Sequence, residues 1–130
     1  MVLQKLGDYS LPNGFTIEGY MGIGNRAFTL GFIQEALLMY ENAIAKGPAN
    51  AQLYFGKGVI LSKMLRHNDA IQAYSNCIQL DPFMADAYVN RGNEYSQLKL
   101  WNLALQDYQD ALKIDPHNEM AKHNIRELNK

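Results

Sequence analysis

A chain of 130 residues with 48% apolar side chains has the size and core material of a single domain. One cysteine excludes an internal disulfide, and a net charge of −1 without a basic run gives nucleic acid little to attract. No window approaches the roughly 18 continuous apolar residues of a membrane span, and Lys5 is not followed by the apolar stretch of a cleaved signal. The expectation is a cytoplasmic protein that engages neither nucleic acid nor membrane.

Residues 1–16 come first, as an N-terminal non-repeat segment. Leu3, Leu6, Tyr9, Leu11 and Phe15 make it too apolar for a solvated tail, and Leu11-Pro12-Asn13-Gly14-Phe15 reads as a turn. It is expected to cap the unit that follows; a dimer contact and an arm laid in the chain's own groove are the alternatives. From residue 17 one unit recurs at 17–50, 51–84 and 85–118 without insertion or deletion. Five columns carry the repeat: Tyr20, Tyr54, Tyr88; Gly24, Gly58, Gly92; Ala36, Ala70, Ala104; Tyr40, Tyr74, Tyr108; and Pro48, Pro82, Pro116.

Each unit reads as two helices. First helices are expected near 17–30, 51–64 and 85–98, and second helices near 34–46, 68–80 and 102–114, each of the latter closed by its proline. Asn68 and Asn102 are the expected N-caps of second helices, Asn50 and Asn118 of first helices. Glycine inside a helix costs about 1 kcal/mol against alanine. Its recurrence at Gly24, Gly58 and Gly92 therefore marks close backbone approach, expected against Ala36, Ala70 and Ala104, with the tyrosines four residues on filling the space between helices. Gly19, Gly22 and Gly24 make the first helix the weakest, so amide exchange should be faster across 17–30 than across 85–98. Residues 119–130 read as a seventh, C-terminal capping helix that buries Met120 or Ala121, Ile125 and Leu128, where the chain is expected to end with its fold.

These columns resemble the tetratricopeptide repeat, with its aromatic, Gly, Ala, aromatic, small and Pro pattern; the small residues are Ala43, Cys77 and Ala111. Lys57 and Arg91 stand where leucine is usual, and Ala27 and Leu61 replace the tyrosine kept as Tyr95. The resemblance covers residues 17–118. It implies an all-α solenoid whose first helices line a concave face, and a non-enzymatic interaction module of adaptor, scaffold or co-chaperone type. Such a module would bind an extended or short helical peptide of another protein in the groove. The alternative is a structural subunit that self-associates through the N-terminal segment or the repeat ends.

Placed on that concave face are Met21, Gly22, Asn25 and Phe28, then Phe55, Gly56 and Val59, then Val89, Asn90, Asn93 and Gln97. Gly22 and Gly56 share a column, so an apolar pocket flanked by Met21, Phe55 and Val59 is expected over the first two repeats. Gly56→Leu should then fill its floor without harm to the fold. The competing reading is that these glycines serve helix packing. Asn90, Asn93 and Gln97 are expected to hydrogen-bond a peptide backbone. One subset of the family grips acidic chaperone C-termini with Lys, Asn, Asn, Lys and Arg. Here those places hold Met21, Asn25, Gly56, Asp86 and Asn90, so no such clamp is expected.

Cys77, in the small-residue column, reads as a buried structural thiol. His67, His117 and His123 lack metal-ligand spacing, so neither a metal nor a cofactor is expected. Trp101 is expected to pack at a turn rather than bind. Gly19, Gly22 and Gly24 have no preceding strand to make a dinucleotide fingerprint, and no nucleophile–base pair points to catalysis.

Overall fold

Local capping and turn chemistry set the helix ends in the computed structural model of the protein, which describes residues 15–130. Seven helices follow among them: α1 Ile17–Thr29, α2 Ile33–Lys46, α3 Ala51–Lys63, α4 His67–Leu80, α5 Ala85–Gln97, α6 Trp101–Ile114 and α7 Glu119–Leu128. The expected helices are all present, and the described residues contain no strand. The readings made for residues 1–14 fall outside the described residues. Phe15 meets Tyr20 edge-on, with ring centroids 5.5 Å apart.

Asn50 and Asn118 cap as expected: their Oδ1 atoms accept from the Leu53 and Ala121 amides at 3.0 Å. Thr16 does the same for α1 through the Gly19 amide. Asn68 and Asn102 do not cap. Their helices start one residue earlier, at His67 and Trp101, behind Arg66 and Leu100, which make no side-chain cap bond. The reason is the turn before them. Gly31, Leu65 and Lys99 all adopt left-handed φ, at 87°, 60° and 62°. The next amide then bonds back to a carbonyl five residues earlier: Phe32 to Ala27, Arg66 to Leu61, Leu100 to Tyr95. This closes the first helix by backbone alone and feeds the chain straight into the second.

Within each repeat the two helices pack as a hairpin, and each second helix packs on the next first helix. The glycine column shows what sets their distance. A Cβ on Gly58 would lie 2.5 Å from the Tyr74 ring, and one on Gly92 would lie 2.7 Å from the Tyr108 ring. One on Gly24 would lie 2.9 Å from the Tyr40 ring. The glycines thus accommodate the tyrosine four residues beyond the expected alanine. At Gly92 the added Cβ would also lie 3.2 Å from the Ala104 carbonyl, the approach to alanine that was expected. α7 continues the register of first helices, with Ala121 buried below Ile125 and Leu128 while Met120 faces outward. In the glycine column α7 carries Arg126, and no tyrosine-bearing helix follows it among the described residues.

The apolar core divides into one cluster over the first two repeats and another in the third repeat with α7. Polar networks occupy the border. Arg91 grips the Asp107 carboxylate through Nε at 2.9 Å and Nη2 at 2.7 Å, and Nη1 donates to Ser75 at 3.1 Å. Burial pushes the Asp107 carboxyl above the usual carboxylate range, against the pull of Arg91. Arg91 therefore departs from the family's leucine because it serves a buried acid. Lys57, in the same column, makes only a loose pair with Glu41 at 3.6 Å. Cys77 is buried beside the Met84 sulfur, and burial pushes its thiol up to about 11, as suits a structural role.

Candidate peptide-binding groove

First helices of neighbouring repeats also touch each other, α3 with α5 and α5 with α7, which makes them the inner wall of the curved stack. On that wall lies a cavity of about 640 Å³. Val59 and Ser62 enter it from α3; Asn90, Asn93, Glu94, Ser96 and Gln97 from α5; Asn124, Glu127 and Leu128 from α7. Tyr74 and Tyr108 reach it from the second helices behind, and Leu65, His67 and Trp101 form its edge at the turns.

Of the expected groove residues, Val59, Asn90, Asn93 and Gln97 meet here. The others do not form the expected pocket. Val89 is 2% exposed and belongs to the core. Gly56 lies under the Tyr40 ring, which a Cβ would overlap, so it is a packing glycine and no open floor. Gly22 does stand open among the described residues: a methyl group there would meet none of their atoms within 4 Å. Met21, Phe28 and Phe55 pack half-buried on the first core cluster, Phe55 edge-on to Tyr74 at 5.9 Å. Asn25 accepts the Tyr40 hydroxyl at 2.5 Å. The cavity lies across α3, α5 and α7, whereas the apolar pocket was expected over the first two repeats. Trp101, expected to pack, is 52% exposed at the cavity edge.

A tyrosine–asparagine ladder shapes the floor. The Tyr108 hydroxyl donates to Asn93 Oδ1 at 2.6 Å, and Asn124 Nδ2 donates to the same oxygen at 2.8 Å. In the second repeat Val59 replaces that asparagine, and Tyr74 instead accepts from Asn90 Nδ2 of the next repeat at 3.5 Å. Burial raises all three phenols, so each stays a neutral donor at any ordinary pH; for Tyr74 the nearby Glu94 charge adds to this. With both donors on its oxygen, the Asn93 amide nitrogen is left to serve a ligand.

Glu94 was not foreseen. It is 4% exposed, in a column otherwise held by Arg26 and Ile60. Its carboxylate receives Ser62 Oγ at 2.8 Å and lies 2.9 Å from His67 Nδ1. This is no nucleophile relay, because the serine proton points at the carboxylate rather than at the imidazole. No group of three potential metal ligands occurs among the described residues. The available signal was the lone acid in an otherwise non-acidic column of a first helix.

Tetratricopeptide repeat profiles match residues 21–63, 51–83 and 85–118. The chain belongs to the tetratricopeptide repeat family. Among solved structures it is similar to the tetratricopeptide repeat domain of Arabidopsis OM64, at 25% identity and TM-score 0.84, over 88% of this chain and 94% of that one. The second such domain of human RPAP3, in complex with the HSP70 peptide SGPTIEEVD, matches at 27% identity and TM-score 0.81, over 85% and 92% of the two chains. The first repeat domain of Spaghetti (RPAP3), bound to the HSP90 peptide SRMEEVD, matches at 22% identity and TM-score 0.84, over 88% and 90%. No curated protein sequence matches significantly. No helix among the described residues is long and apolar enough to cross a membrane.

Proposed function

We propose that this tetratricopeptide repeat chain is a protein-interaction module that holds a segment of a partner protein along the inner wall of α1, α3, α5 and α7. The observation that carries the reading is the cavity across α3, α5 and α7, where Asn90, Asn93, Gln97 and Asn124 present hydrogen-bonding groups to one open space. Side-chain amides there match a peptide backbone, each bond contributing on the order of 1 kcal/mol net. Similar domains hold peptides in solved complexes, which supports the same use of the groove here. Open Gly22 and half-buried Met21 and Phe28 would extend the track toward the first repeat.

A display library of random octapeptides tests this. Peptides selected on the wild type should lose about tenfold or more in affinity on Asn90→Trp, which plugs the cavity. They should keep their affinity on Lys113→Ala, an exposed site on α6. Peptides that bind Asn90→Trp as well as wild type would place recognition elsewhere.

A second expectation concerns acidic C-terminal peptides of the kind bound by RPAP3. The places of the clamp cations hold Met21, Asp86 and Asn90, and Asn25 is already engaged by Tyr40. Ligand carboxylates would be desolvated without a cationic partner. Titration of SRMEEVD or SGPTIEEVD at physiological salt should show binding weaker than micromolar, and a sub-micromolar dissociation constant would contradict it.

A further inference from the structure

The cavity carries one sign of charge. Glu94 and Glu127 line it, and among the described residues no lysine or arginine does. Ser62 and the His67 ring hold the Glu94 carboxylate in place but occupy only two of its roughly four acceptor positions. Glu127 is met from the solvent side by Lys130 Nζ at 3.0 Å and His123 Nε2 at 3.9 Å. Both of those partners are exposed, and a surface pair of this kind is displaced at little cost. Trp101 and Leu65 add apolar surface at the rim.

We propose that this part of the groove, taken as the peptide site argued above, receives an arginine or lysine side chain of the partner, its cation at Glu94 and its stem along Trp101 and Leu65. A carboxylate withdrawn from water attracts a cation more strongly than one on the surface. The exposed Trp101 indole lines the same cavity and offers its face to a cation. Arginine suits the site better than lysine, since its planar fork can bond a carboxylate and stack on an aromatic ring at once. An acidic side chain in the same seat would meet the like charge of Glu94 in a cavity that Glu127 also lines. The selectivity is thus opposite in sign to that of a domain that grips acidic C-termini.

The random octapeptide library reads this directly when selected on wild type, Glu94→Gln and Trp101→Ala. Glutamine keeps an acceptor for Ser62, and Trp101 is exposed, so both variants should melt near the wild-type temperature. Peptides enriched on wild type should share arginine or lysine at one register position. Replacing that arginine by citrulline, its neutral isostere, should weaken binding by about tenfold or more. On Glu94→Gln the arginine–citrulline ratio should fall below about threefold, and Trp101→Ala should lower it as well. Enriched peptides without a basic position, or a ratio unchanged in Glu94→Gln, would overturn the cation seat while leaving the groove intact if Asn90→Trp still abolishes binding. Enrichment of no peptide, or of peptides indifferent to Asn90→Trp, would overturn the groove reading and the cation seat together.

Discussion

Gly56→Leu should destabilise the protein by about 3 kcal/mol, the upper part of the range for forcing volume into a packed core. Helix propensity favours leucine over glycine by close to 1 kcal/mol, and at an open helix site that gain would stand alone. Here the new Cβ would overlap Tyr40, whose ζ carbon and hydroxyl lie 2.8 and 2.9 Å from its position. The ring cannot swing aside cheaply, since it is buried and its hydroxyl is held by Asn25. Gly22, one repeat earlier in the same column, makes the control. With none of the described residues within 4 Å of the added methyl group, Gly22→Ala should stabilise by about 0.5–1 kcal/mol. Urea denaturation of both variants would show opposite shifts. Pairing Gly56→Leu with Tyr40→Ala should cost less than the sum of the two single changes, because the second makes room for the first. If Gly56→Leu instead leaves the midpoint unchanged, Tyr40 has freedom that the packing denies.

Why one column holds two glycines with opposite roles explains what was legible in the chain. The period fixed seven helices and their order, because proline, glycine and capping residues act locally and repeat in register. Asn50 and Asn118 could be read as caps for the same reason. Asn68 and Asn102 misled, because left-handed Leu65 and Lys99 close the preceding turns through backbone bonds, and neither residue type advertises that conformation. The groove was legible as a face but not as a depth. Depth depends on where each second-helix tyrosine lands. Each of the three brings its hydroxyl to an asparagine, but the Tyr40 ring also covers Gly56, while Tyr74 and Tyr108 line the cavity. Glu94 escaped because its partners, Ser62 and His67, come from the preceding repeat and are brought to it only by stacking.

The Arg91–Asp107 pair should be the protein's most sensitive polar contact. Arg91→Leu restores the residue usual at that place in the family, yet it would leave a carboxylate that is 2% exposed without its cation. Removing one member of a buried pair costs about 3–5 kcal/mol, a large share of the roughly 5–15 kcal/mol that holds an ordinary domain together. The cost should depend on pH in a definite direction. Asp107 already titrates above its ordinary value of 3.8 through burial, and losing Arg91 removes the influences that lower it. The folded variant would then keep a proton that the unfolded chain has released. Its penalty is complete above the folded value and is relieved as pH falls through that value toward 3.8. The gap between wild type and Arg91→Leu should therefore narrow on going from pH 7 to about 4.5. Adding Asp107→Ala should recover most of the loss at pH 7, because the same column holds Met39 and Ala73 in the first two repeats and they pack without a charge. A double variant no more stable than Arg91→Leu alone would mean that the arginine contributes through packing and its bond to Ser75, and that the buried acid needs no cation.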